Sequence, residues 1–179
     1  MEFKELIEAR RSVRKYVASE ITKAEVEEIV DEALNAPSWK NTEVTRYYAA
    51  VGAEAKGRLR NEALPSFNVA STANAAALVA VTFKAGESGY MGADPANELG
   101  EMWGAYDCGL ASAYFVLAAK NHGWDSLILG IRDAEKIKML LGIPDAEVVM
   151  SVIALGKAAG TAAKPPRKAV GELAKFFLR

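Results

Sequence analysis

One long helical pattern, Glu98–Asn121, constrains the whole chain. Leu99, Met102, Trp103, Tyr106, Leu110, Tyr114 and Leu117 recur at three- and four-residue steps, the spacing of a single helical face. The other face carries Gly104, Ala105, Cys108, Ala111 and Ser112 in place of charge. An apolar stripe backed by small residues needs close neighbours on most sides. At 179 residues the chain has room for one core of ordinary size. The helix is therefore either central to that core or part of a subunit interface.

Around it, helical and extended patterns alternate. Phe3, Leu6 and Ile7 mark a short helix over Glu2–Arg10, and Arg11–Val17 reads as extended. Thr22 and Glu25 have capping-box spacing ahead of Val26, Ile29, Val30 and Ala33, and Pro37 ends that helix. Arg46–Val51 reads as a strand and 53–63 as a polar helix. Ala75–Phe83 and Glu147–Leu155 are short apolar runs of the kind that form buried strands. Gly86, Gly89, Gly92 and Pro95 mark a loop before the long helix. After Gly123, a strand over Ser126–Leu129 and a capped helix over Asp133–Leu141 complete the pattern. The helix-rich opening argues against a repeated βαβ series. The expected architecture is a single α+β layered domain over residues 1–179.

Composition removes several classes of function. Twenty-two basic residues against 23 acidic ones, a net charge of −1, leave no global field for nucleic acid or an anionic membrane. One cysteine and one histidine exclude a disulfide framework and the usual zinc sites, so no metal is expected. The charged opening MEFKELIEARRSVRK is no secretory signal, and no apolar run reaches the ~18 residues of a membrane span. The expectation is a soluble, cytoplasmic protein.

Two basic segments stand out. In RRSVR the side chains of Ser12 and Arg14 share one face of an extended chain, and Arg10 can join them from the last helical turn. Guanidinium forks beside a hydroxyl suit a phosphate. Near the far end lie Lys164, Arg167 and Lys168, stiffened by Pro165-Pro166. Taken alone, each segment also reads as a solvated basic face. Cys108 reads as a small core hydrophobe and His122 as a helix C-terminal residue. No glycine fingerprint for nucleotides is present. Trp39, in the turn Ala36–Asn41, covers either a core edge or a flat ligand.

Taken in order, these segments resemble the FMN-dependent nitroreductases. FKELIEARRSVRKY is similar to that family's N-terminal signature, and TKAEVEEIVDEALNAPSWKN to the next segment with its Pro-Ser-x-x-Asn loop. YDCGLASAYFVLAAKNHGWDSLILG resembles the family's central helix and following strand. LLGIPDAEVVMSVIALGKA with KPPRK resembles its C-terminal pattern. The resemblance implies an α+β fold with a central, mostly antiparallel sheet flanked by helices. It also implies an intertwined homodimer binding FMN at the subunit interface.

The activity it implies is ping-pong electron transfer from NAD(P)H through the flavin to a small organic acceptor such as a nitroaromatic or quinone, with no catalytic side chain of the protein's own. By position, Arg10, Ser12 and Arg14 would contact the FMN phosphate and ribityl region, Arg11 through its backbone, with Lys164 and Arg167 adding to the phosphate site. Pro37, Ser38, Trp39 and Asn41 of the partner subunit would line the ring. Leu129, Gly130 and Asn61 would lie beside it. After Asn41 the family usually reads Gln-Pro-Trp, where this chain has Glu43, Val44 and Thr45. The alternative expectation is a non-catalytic FMN-binding protein of the same fold with a closed acceptor site.

Overall fold

A computed structural model describes residues 1–178. The chain runs α1 (Phe3–Ala9), β1 (Tyr16–Val17), α2 (Lys23–Ala33), β2 (Thr45–Ala50), α3 (Ala53–Ala63), α4 (Ser66–Ser71) and β3 (Ala77–Lys84). A two-residue hairpin, β4 (Tyr90–Met91) and β5 (Asp94–Pro95), precedes α5 (Met102–Asn121). Then come β6 (Asp125–Leu129), α6 (Ala134–Leu141), β7 (Glu147–Ala158) and α7 (Val170–Leu173).

The sheet has the order β1-β7-β3-β2, with β6 also on β7, and every strand pairing is antiparallel. Period-2 alternation divides the core between its two faces. Val79, Val81, Phe83, Ile153 and Leu155 pack with α2 and α5, against Ile29, Cys108 and Phe115. Leu78, Ala80, Val152 and Ala154 point the other way, toward Leu59 of α3 and Ile137 of α6. Each fully buried large side chain contributes roughly 1.5–3 kcal/mol. Covered on both faces, β3 and the second half of β7 read as continuous apolar runs. The sequence pattern ended β7 at Leu155; the strand continues to Ala158 because β1 pairs with its last residues, Tyr16 opposite Ala158.

The caps form as their sequence indicates. The Thr22 hydroxyl accepts the Glu25 N–H at 3.2 Å while the Glu25 carboxylate accepts the Thr22 N–H at 2.8 Å. Asp133 caps α6 by accepting the Lys136 N–H at 3.1 Å, and Gly142, at φ 63°, ends it.

The long helix differs from its sequence reading at its start. It begins at Met102, with 98–101 in turns before it. Its small face, not its large one, meets the core: Gly104, Cys108, Ala111 and Ser112 are buried. A Cβ on Gly104 would lie 2.5 Å from the Phe83 ring, so the close approach of α5 to β3 depends on that glycine. The large stripe is turned outward, with Met102 and Tyr106 each 58% exposed. Sequence periodicity missed α4 and the β4–β5 hairpin, which are too short to show a period.

Candidate functional site

The first half of the site is built where the N-terminal segment crosses the sheet. Ser12 bridges Ser126 of β6, and the Val13 N–H donates to the Ser126 carbonyl at 2.9 Å. Val13 and Tyr16 are buried, which turns Ser12 and Arg14 outward together. Arg10 is the residue that ends α1, with extended backbone (φ −60°, ψ 131°), and it is half-buried. Beyond β7, the Ala159 N–H donates to the Lys15 carbonyl at 2.9 Å and draws the C-terminal segment alongside. The result is a cleft of about 300 Å³ between Ser12–Lys15 and Ala159–Ala162.

The chain then continues into the exposed stretch that carries Lys164 and Arg167. Arg11 donates to the carbonyls of Glu8 and Arg10, and Arg167 to those of Pro165 and Pro166. Among the described residues, none of Arg10, Arg11, Arg14, Lys164 and Arg167 is paired with a carboxylate. A cleft lined by Arg14, Lys15 and Ser12, with no carboxylate paired to Arg14, suits an anion.

The second half is the turn between α2 and β2. The Ser38 hydroxyl accepts the Glu43 N–H at 3.0 Å, and Asn41 donates its amide to the Glu43 carboxylate at 2.8 Å. Lys40, Asn41 and Glu43 all have positive φ, at 46°, 54° and 49°. Trp39 lies against Trp103 of α5, ring centroids 4.9 Å apart, and Trp103 meets Tyr106 edge-on at 5.5 Å. Trp39 thus covers an aromatic neighbour on the long helix.

A single copy of the chain does not bring the two halves together. Val44 lies beside Lys84, which pairs with Glu147 at the start of β7. Ser12 lies beside Ser126, which pairs with Leu155 near the end of β7. From Glu147 to Leu155 is about 26 Å at the usual strand rise. Leu129 pairs with Val152 between these ends, and at Gly130 an added Cβ would meet nothing within 4 Å. Asn61 is exposed on the last turns of α3, near Asp133, whose N–H donates to the Ala63 carbonyl at 2.8 Å.

Sequence reasoning missed Asp107. It is 3% exposed, and one of its oxygens accepts the Trp39 N–H at 2.9 Å and the Ser88 hydroxyl at 2.6 Å. The signal was present: Asp107 is the lone carboxylate in α5. Cys108, Tyr16 and Tyr47 hold their protons firmly near neutral pH. Burial pushes the Cys108 thiol up to about 12. Burial likewise raises the Tyr16 phenol, with Asp125 adding to the effect, and the Tyr47 phenol. His122 pairs its Nε2 with Glu32 of α2 at 2.8 Å, joining two helices at the surface. No helix among the described residues is long and apolar enough to cross a membrane.

Comparison with known proteins places this geometry in context. A Bacillus subtilis protein assigned by name as an NAD(P)H nitroreductase, YdgI, is 29% identical, with 88% of this chain and 89% of that one aligned. A protein of Exiguobacterium sibiricum, assigned as a nitroreductase and crystallised in complex with FMN, superposes with a TM-score of 0.87. It is 25% identical, and the match covers 99% of this chain and 98% of the other. A Staphylococcus epidermidis protein assigned as an NAD(P)H:FMN oxidoreductase shares the fold, with a TM-score of 0.82 at 24% identity over 98% and 96% of the two chains. The sequence model of the nitroreductase family matches residues 7–157, from α1 through the penultimate residue of β7, and the chain belongs to that family.

Proposed function

We propose that the chain works as a single nitroreductase-like domain that binds FMN between two copies of itself. In this reading it passes electrons from NAD(P)H to a small organic acceptor, such as a nitroaromatic or a quinone, in two half-reactions at one site. The observation that carries the proposal is the cleft between Ser12–Lys15 and Ala159–Ala162, lined by Arg14, which has no carboxylate partner among the described residues. Arg10 and Arg14 would hold the phosphate, Ser12 would donate to it, and Lys164 and Arg167 would close on it from the other end of the chain. Arg11, whose guanidinium is committed to backbone carbonyls, would contribute through its main chain. The open backbone at Leu129–Gly130 would admit the flat ring, with Asn61 on the adjoining helix. The family relationship and the FMN-bound relative of similar fold support the cofactor, and the named activity of the Bacillus subtilis relative supports the donor.

The partition of the site supports a second copy. Pro37, Ser38, Trp39 and Asn41 stand at the opposite end of β7 from Ser12 and Arg14, so a ring-lining role for them calls for a partner's turn. Three surfaces accord with a homodimer. Met102, Tyr106 and Tyr114 of the large stripe of α5 are exposed. Among the described residues β2 pairs with β3 alone, beside a groove of about 720 Å³ that includes Val26, Val30, Tyr47 and Val51. The C-terminal segment leaves Leu173, Phe176 and Phe177 exposed, the last at 87%.

Hydride and electron chemistry belongs to the flavin when it is bound, and the protein's part is to bind, orient and shield it. Among the described residues that line the cleft there is no carboxylate or histidine to serve as a general base, as a site that leaves the redox chemistry to a cofactor permits. The test is an absorbance spectrum of protein incubated with FMN and desalted, followed by NADH or NADPH under nitrogen. Retained yellow colour that bleaches with nicotinamide is expected. Colour that never bleaches would favour the non-catalytic flavin binder, and no retained colour would overturn both.

A further inference from the structure

The geometry points to Asp107 as a positioning residue: one buried carboxylate oxygen holds the Pro37–Glu43 turn and the Ala85–Glu101 loop together and thereby fixes the turn that would line the flavin ring of the partner copy. This rests on the flavoenzyme reading given above. A carboxylate only 3% exposed is expensive to bury, and this one has no cationic partner among the described residues. Its two donors are neutral and come from different segments, the Trp39 N–H at 2.9 Å and the Ser88 hydroxyl at 2.6 Å.

What those bonds hold does not stay in place by itself. Three residues of the turn, Lys40, Asn41 and Glu43, sit in the left-handed region, a conformation that persists only where its surroundings impose it. Fixing the Trp39 main chain sets its indole against Trp103. Trp103 is tied in turn to the second loop, donating its Nε1–H to Asn97 Oδ1 at 3.0 Å. It also packs beneath Gly89, where a Cβ would come within 2.7 Å of it. One carboxylate and two indoles therefore make a closed circuit between the turn, the loop and α5.

The test uses full-length protein with Asp107→Leu, Asp107→Asn and Ser88→Ala, with and without FMN. Amide hydrogen exchange reads the clamp directly and needs no flavin. Asp107→Leu should speed exchange at Trp39 and across 86–91 by about tenfold or more, the scale of a lost hydrogen bond to a charged group. Asp107→Asn keeps an acceptor oxygen and should restore protection at Trp39, and Ser88→Ala should loosen 86–91 while leaving Trp39 protected.

In turnover, Asp107→Leu should raise KM for the nicotinamide and for the acceptor together, by about tenfold, with kcat within about twofold of the parent, because both half-reactions use one site. Equal protection at Trp39 in the parent and Asp107→Leu would overturn the clamp, as would a loss confined to kcat with both KM values unchanged. Should Asp107→Leu fail to fold, Ser88→Ala decides, and unchanged exchange over 86–91 overturns the proposal. A parent protein that retains no FMN would overturn the flavoenzyme assignment and leave the exchange readout to judge the clamp.

Discussion

The ring of Tyr16 occupies the space that a side chain at residue 156 would need: a Cβ on Gly156 would lie 2.6 Å from Tyr16 Cδ1. Tyr16 belongs to β1, whose only sheet partner among the described residues is the end of β7, and Arg14 lies two positions upstream on the same extended segment. The Ser12–Lys15 cleft is thus positioned by a glycine on a strand far away in sequence. Gly156→Ala should cost about 1–3 kcal/mol, the usual range for overpacking a filled site. It should also weaken FMN retention, because Tyr16 cannot move aside without carrying Arg14 with it. Thermal unfolding and a flavin titration on the same preparation would check both effects. Loss of stability with FMN affinity intact would show that β1 and the cradle move independently.

Arg14→Ala should weaken FMN binding by about 10- to 100-fold, the equivalent of the 1.5–3 kcal/mol expected for a hydrogen bond to a charged group. Arg14→Lys should recover only part of this, since an ammonium lacks the two-pronged match to phosphate oxygens. Raising ionic strength should narrow the gap between parent and variant, because Arg14 is exposed. Flavin fluorescence titration at two salt concentrations makes the measurement. An unchanged affinity in Arg14→Ala would remove Arg14 from the site.

Much of this was legible in the sequence, and what was not has physical causes. The Thr22–Glu25 box, the alternation that turns Ser12 and Arg14 outward around Val13, and the buried strands are local patterns. Local patterns survive translation into structure when nothing tertiary opposes them. The long helix shows the limit. Its periodicity was plain, yet which face would meet the sheet depended on how closely α5 approaches Phe83, a distance fixed by Gly104 and invisible to periodicity. Asp107 escaped notice for a related reason. A lone carboxylate on an apolar helix is conspicuous, but its donors lie 68 and 19 residues away in sequence. The separation of Trp39 from Ser12 along β7 also needed the strand register, which a list of motifs does not contain.

Deleting residues 170–179 should weaken self-association. Val170, Leu173, Phe176, Phe177 and Leu178 are all exposed in a single copy, and so large an apolar display is unusual for a surface that stays in water. The deletion leaves Lys164 and Arg167 in place, which separates the tail's contribution to assembly from the basic segment's contribution to flavin. Sedimentation velocity at micromolar concentration should show a dimer for the parent and a shift toward monomer for the truncated chain. A parent that sediments as a monomer would contradict the shared-site arrangement.

The acid sensitivity of α2 follows from its capping box. The Thr22 N–H, and after it the Thr22 hydroxyl, hydrogen-bond the Glu25 carboxylate and hold its pKa below the ordinary 4.5. A depressed carboxyl contributes stability that is fully present above its unfolded value and disappears as pH falls through the folded one. Glu25→Ala should therefore lower the Tm at pH 7, and the gap to the parent should close as pH drops below 4.5. Asp133, held below its usual 3.8 chiefly by the Lys136 N–H at the start of α6, should behave in the same way over a slightly lower range. The two helices pack on opposite faces of the sheet, so the two losses should add in the double variant. Thermal melts of the parent, both single variants and the double variant from pH 7 to pH 3 provide the test. A Glu25→Ala gap that persists unchanged at pH 3 would mean that the side chain acts through packing, not through its charge.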